Sequence, residues 1–171
     1  MQNTTQALPK FDNVEGIRSA LRNQQKKKIY YFLSCTKLKY ETTQPAIEIY
    51  QKSMFFTKML HLTNNLPKGE IFILSGKHGL LSPHEKIGYY DQSLNSLSKK
   101  DKQKWKNKVY TQLDEYGIDK ENSILVFLTG ISYMFDYENR YDCVQLFPKS
   151  MGIGHRLQYM TKLNKEYSIN L

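Results

Sequence analysis

"EIFILSGKHGLL", Glu70–Leu81, passes from a run of β-formers, Ile71-Phe72-Ile73-Leu74, straight into Ser75-Gly76-Lys77-His78-Gly79. A short apolar run bounded by turn signals reads as a buried strand. The five residues after the strand are a poor plain turn. Glycines flanking a lysine and a histidine behind a serine suit a backbone that bends sharply while presenting polar groups.

Working outward, "IYYFLS" (Ile29–Ser34) and "SILVFLTG" (Ser123–Gly130) repeat the pattern of an apolar strand ending in small or hydroxyl-bearing residues, and "DCVQLFP" (Asp142–Pro148) is a weaker fourth strand. The segments between them read as helices. One spans Gln44 to Leu62, with Pro45 in its first turn. Another is capped by Ser98, runs to Tyr116 with Trp105, Val109, Gln112 and Leu113 near one face, and is closed by Gly117. A last helix is entered through "GIGHRLQYMTKLN". Residues 76–97 lack periodicity and form a long connection of the kind that often carries function. Residues 1–28 form a polar, basic N-terminal segment with a short helix over Val14–Arg22. Residues 29–171 then make one α/β domain with a mainly parallel central sheet flanked by helices. Such sheets bind ligands at the carboxyl ends of their strands. Here those ends are Ser34-Cys35, Ser75-Gly76-Lys77-His78 and Thr129-Gly130.

Composition narrows the partners. The 171 residues carry 25 Lys plus Arg against 16 Asp plus Glu, a formal charge of +9. A surplus of that size favours polyanions, nucleic acid (DNA or RNA) above all. Cys35 and Cys143 are isolated, and His61, His78, His84 and His155 lack ligand spacing, so neither a metal nor a disulfide framework is expected. No cofactor is implied. With no apolar leader and no run of about 18 apolar residues, the expectation is a cytoplasmic protein without a membrane partner.

Three constellations carry chemistry. In "SCTKLKYETTQPAIEIY", Cys35 beside Lys37 and Lys39 is either a thiol activated by positive charge or a partly buried structural cysteine. The two lysines suit an anionic group. In "SGKHGLLSPHEKIGYYDQSL", His78 is a candidate acid or base with Asp91 as its carboxylate partner, Lys77 offers positive charge, and Gly76 and Gly79 leave backbone N–H groups free. In "SMGIGHRLQYM", Gly152 and Gly154 precede a helix whose amides, with Arg156, can face phosphate; a close helix–sheet crossing explains the glycines nearly as well. The lysines of "SKKDKQKWKNKVY" read as a solvated face that adds non-specific attraction to nucleic acid.

Together these residues resemble an uncharacterised family of bacterial and phage domains. The likeness rests on Ser34-Cys35 followed by lysine, Pro45-Ala46 leading to Tyr50, Ser75–Leu80, Pro83, Tyr90-Asp91, Trp105, Gly130, Tyr133 and Gly152–Arg156. The strand-and-loop motif is similar to that of the YaaA peroxide-stress proteins, and Ser34-Cys35 with its lysines and the strand-end loop more distantly resembles the lysine-transfer domain of archaeosine synthase. The resemblance covers residues 29–160 and implies a YaaA-like α/β domain acting on a base in nucleic acid. His78 stands where the YaaA pattern usually has an aromatic residue. The expected function is an enzyme of base excision, exchange or modification, with His78, Asp91 and Cys35 catalytic. Ser34, Lys37, Lys39, Tyr50, Ser75, Gly76, Lys77, Gly79, Tyr90, Thr129, Gly130, Tyr133, Gly152, Gly154 and Arg156 would bind substrate. The alternatives are a non-catalytic DNA- or RNA-binding factor and an enzyme of free nucleosides or nucleotides.

Overall fold

Neighbouring residues of the first long strand part company: Tyr31 and Leu33 enter one apolar layer, Tyr30 and Phe32 the other. Burial on both faces is what parallel strands covered by helices require. The computed structural model describes residues 14–23, 26–133, 136–147 and 151–168. In chain order its elements are α1 (Val14–Arg22), β1 (Lys28–Ser34), β2 (Gln44–Pro45), α2 (Ala46–Ile49), α3 (Met54–Asn64), β3 (Glu70–Ser75), β4 (Gly79–Leu81), β5 (Lys86–Ile87), α4 (Lys99–Glu115), β6 (Ser123–Leu128), β7 (Asp142–Gln145) and α5 (Ile153–Ser168), with short 3-10 turns between some of them.

The main sheet has the order β4-β3-β1-β6-β7. β1 pairs in parallel with β3 and β6, β6 pairs in parallel with β7, and β4 folds back antiparallel on β3. On one face α1, α3 and α5 bring Ile17, Leu21, Phe56, Met59, Met160 and Leu163 against Tyr31, Leu33, Ile73 and Val126. On the other, α4 packs Trp105, Val109 and Leu113 over Phe32, Phe72, Leu74 and Phe127. Phe32 is in register with both Phe72 and Phe127, their ring centroids 6.1 and 5.2 Å away. The result is a single α/β domain with a mostly parallel sheet between helical layers, as the strand and helix pattern predicts.

Several boundaries differ from the sequence reading. The helix expected over residues 44–62 is broken. Pro45 (φ −52°, ψ 142°) stands outside α2 and pairs with β5, and Ser53 turns extended (φ −88°, ψ 123°) to accept the Phe56 N–H as the cap of α3. A serine competes for backbone groups in mid-helix and gains by capping instead. The long connection is also more ordered than its aperiodic sequence implies, because Leu80 and Leu81 are buried in β4 and Ile87 in β5. The Ser98 cap and the left-handed Gly117 (φ +68°) bound α4 as expected. α1 is built into the domain: Arg18 donates to the Asn65 carbonyl at 3.0 and 2.7 Å. β7 ends at Gln145, and the expected strand's last residue, Pro148, lies outside the described residues. Among the described residues, no helix is long and apolar enough to cross a membrane.

Candidate functional site

Leu33 is in register with Ile73 on one side and Leu128 on the other. Two residues further along each strand, Cys35, Ser75 and Gly130 therefore emerge at the same edge of the sheet. Cys35 N–H donates to the Leu74 carbonyl at 2.9 Å, which extends the β1–β3 pairing to that level. Ser34, one residue earlier, is buried in register with Leu74. The three strand ends singled out in the sequence thus share one edge.

Ser75 is the node of this edge. It is fully buried. Its Oγ accepts the backbone N–H groups of Lys77 at 3.3 Å and His78 at 3.1 Å, and lies 2.7 Å from the Tyr90 hydroxyl. Its carbonyl accepts the Trp105 indole N–H at 2.7 Å. Tyr90 OH in turn lies 2.5 Å from Tyr50 OH, so Tyr50, Tyr90 and Ser75 form a hydroxyl chain between the α2 region and the end of β3. Burial pushes both phenols well above their ordinary range, so both stay protonated.

The turn after Ser75 is held from both sides. A Cβ on Gly76 would lie 2.6 Å from the Leu94 backbone nitrogen, and Gln92 donates to the Gly76 carbonyl at 3.1 Å. Gly79 takes φ +75°, a conformation open to glycine at little cost. Gln112 of α4 clamps the other end: its Oε1 accepts the Leu80 N–H at 2.8 Å, and its Nε2 lies 3.1 Å from the carbonyls of His78 and Leu80.

Lys39 is buried against this node. Its ammonium donates to the carbonyls of Thr36 and Lys37, both at 3.0 Å, and sits 4.5 Å from the Tyr90 ring centroid, 5.7 Å from Tyr89 and 6.0 Å from Tyr50. Burial lowers its pKa, opposed by the charges of Cys35 and Asp91. Lys37, by contrast, is exposed, while Lys77 brings its ammonium to 5.8 Å from the Tyr90 ring. Cys35 is partly buried, with Sγ 3.1 Å from the Tyr133 hydroxyl, and the Tyr133 ring stands edge-on to Trp105 at 6.0 Å.

His78 lies edge-on to Tyr90, with ring centroids 5.1 Å apart. Its pKa is lowered by burial first, then by Lys77 and Lys108, with Glu85 acting in the opposite sense. The expected partnership with Asp91 is not what the geometry brings together. Asp91 is exposed, and its charge acts on Lys39. The carboxylate felt by His78 is Glu85.

On the far side of the edge, the Arg156 guanidinium lies against Gly130, where a Cβ would be 2.9 Å from Nη1. Thr129 is fully buried and next to it. Gly152 and Gly154 stand at the exposed start of α5, with no neighbour within 4 Å of an added Cβ, so no close helix crossing explains them. Along α4, Lys106 pairs with Asp136 at 2.8 Å and Lys104 with Asp101 at 3.5 Å, while Lys108 lays its stem beside Gly79. The sequence reading missed Gln92 and Gln112 as parts of the site. Gln112 did leave a trace: it is an amide on the otherwise apolar stripe of α4. Among the described residues, no cluster of three or more His, Cys, Asp or Glu side chains is placed to hold a metal ion.

No curated protein and no solved structure matches the chain. One family model does, and it takes in all but the first two residues of the main sheet, the Ser75–Gly79 turn and Arg156. With residues 30–162 matched, the chain belongs to the family of unknown function DUF6884.

Proposed function

We propose that this protein is an enzyme acting on a nucleobase, in nucleic acid or in a nucleotide, by base excision, exchange or modification. The observation that carries the reading is the convergence of Cys35, Lys39, Ser75, His78 and Tyr133 on one edge of the sheet. They bring a thiol, a buried ammonium, a hydroxyl chain and an imidazole into one neighbourhood. A plain structural edge has no need of a buried lysine bonded to no carboxylate among the described residues, because burying an ammonium carries a desolvation cost. His78, its pKa below 6.5, is neutral near pH 7 and suits a general base. Lys39 would stabilise negative charge developing on the base, and Cys35 would bind or attack it. Tyr89, 50% exposed beside Lys39, and Tyr40, 42% exposed, offer stacking faces for a base. The charge of +9 and the lysines of α4 favour a phosphate-bearing substrate. The likeness of the Ser75–Gly79 loop to YaaA proteins and to the lysine-transfer domain of archaeosine synthase points the same way.

A second reading, a DNA- or RNA-binding factor without chemistry, is favoured by one observation: His78 lacks the Asp91 partner that would orient it. The deciding experiment incubates the protein with single- and double-stranded DNA, bulk tRNA and modified-base versions of each. Mass spectrometry then scores released bases and altered nucleosides for wild type and His78→Ala. A product that disappears in the variant establishes the enzyme. Salt-dependent binding without product in either protein establishes the binding factor.

A further inference from the structure

At the Thr129–Gly130 end of β6 the Arg156 side chain lies against Gly130, on the face of the sheet covered by α1, α3 and α5. Its Nε is buried and unbonded, whereas the unbonded Gln145 Oε1 belongs to the opposite face, because Gln145 is in register with Phe127 under α4. A buried polar group without a partner is costly and calls for an explanation. A polar ligand is the simplest one.

The arginine identifies the ligand's chemistry. Among the described residues its side chain makes no hydrogen bond and no ion pair with a carboxylate. Its guanidinium carbon lies 5.6 Å from the Phe55 ring centroid and 5.8 Å from that of Phe147, and the group rests against Gly130. Aromatic packing and the missing side chain at Gly130 fix its orientation while leaving its hydrogen-bonding capacity unspent. Such a fork is made for an oxyanion.

The subsite adjoins the chemistry. Tyr133 N–H donates to the Gly130 carbonyl at 3.1 Å, and the same residue's hydroxyl lies 3.1 Å from Cys35 Sγ. A group held at Arg156 is thus one short turn from the proposed reacting edge. We propose that Arg156, supported by Gly130, anchors a phosphate of the substrate while the base is presented to Cys35, Lys39 and His78. The inference rests on the nucleobase reading and specifies which phosphate-bearing class the site accepts. The phosphate is either the terminal group of a mononucleotide or an internal diester of a strand.

The test is isothermal titration calorimetry of the full chain with inorganic phosphate, a nucleoside, its 5′-monophosphate, and a short oligonucleotide without terminal phosphate. Because Arg156 packs between rings, Arg156→Met is accompanied by Arg156→Lys, which keeps the charge and much of the packing but loses the fork. Wild type should bind the monophosphate or the oligonucleotide more tightly than the nucleoside. Both variants should weaken that binding by about 10–100-fold, the worth of a charge-assisted bond. Preference for the monophosphate identifies a terminal phosphate, and preference for the oligonucleotide an internal diester. Equal affinity for nucleoside and nucleotide, or an unchanged affinity in Arg156→Lys, overturns the proposal. Base release or modification is scored separately by mass spectrometry. Phosphate binding at Arg156 without any product would retract the enzyme reading and leave the subsite standing.

Discussion

Lys39 holds its ammonium 4.5 Å from the centre of the Tyr90 ring, bonded to two backbone carbonyls and to no carboxylate among the described residues. Its pKa falls because burial disfavours the charged form. In the alkaline window between that lowered value and the ordinary 10.5, the unfolded chain binds more protons than the folded one. Stability contributed by this group therefore rises with pH through the window. Lys39→Met removes the dependence. The difference in Tm between wild type and variant should move in the wild type's favour as pH rises, with the titrating tyrosines cancelling in the comparison. Parallel curves would show that Lys39 is as readily protonated folded as unfolded.

Ser75 Oγ serves two backbone N–H groups and one phenol inside the protein. Ser75→Ala should destabilise by about 1–3 kcal/mol in urea denaturation, since the amides of Lys77 and His78 lose their acceptor. Tyr50→Phe and Tyr90→Phe should each cost about 0.5–1.5 kcal/mol. Their effects should not add, because the first substitution already breaks the bond that the second would remove. Strict additivity would mean that the two hydroxyls do not act as one chain.

The strands and α4 are legible in the sequence because their signals are local: β1, β3 and β6 are apolar on both faces, and Ser98 and Gly117 are caps next to the helix they bound. Parallel pairing then brings Cys35, Ser75 and Gly130 to one edge without further information. Side-chain partnerships across that edge could not be read in this way. Asp91 comes directly after Tyr90 in the chain, yet its charge acts on Lys39, while the charges acting on His78 are those of Lys77, Lys108 and Glu85. Gln112 stands out as an amide on the apolar stripe of α4, but that it reaches the Gly79 turn is a tertiary fact, because α4 crosses the sheet at that height. The break at Ser53 was hidden for a related reason. Serine favours a cap over mid-helix only by a modest margin, and the apolar spacing through Tyr50 and Met54 masks that preference in the sequence.

Gly76 and Gly117 separate two reasons for glycine. Around Gly117 no atom lies within 4 Å of an added Cβ, and only its φ of +68° resists substitution. Gly117→Ala should cost about 1–2 kcal/mol and leave any activity unchanged. At Gly76 the Cβ would meet the Leu94 backbone at 2.6 Å, an atom that cannot swing aside. Gly76→Ala should cost about 1–3 kcal/mol through overpacking and also displace the turn that carries His78. Thermal melts alongside turnover check this. A Gly76→Ala protein of full activity would detach the turn from the site.

His78 is half-buried between Tyr90 and two lysines, and its pKa lies below 6.5 through burial and then through Lys77 and Lys108. Between the lowered folded value and 6.5 the unfolded chain binds more protons, so stability from this group is lost as pH falls through that window. The same shift places the acid limb of a reaction using neutral His78 below 6.5. Lys108→Met removes one positive neighbour, so the histidine's pKa should rise and the acid limb should move to higher pH with it. NMR titration of the imidazole and a pH–rate profile measure the two independently. His78→Ala should lower turnover by about 10²–10⁴ with substrate binding largely retained. If Lys108→Met raised the imidazole pKa and left the rate profile in place, His78 would be a bystander and the base would have to be sought elsewhere on the same edge.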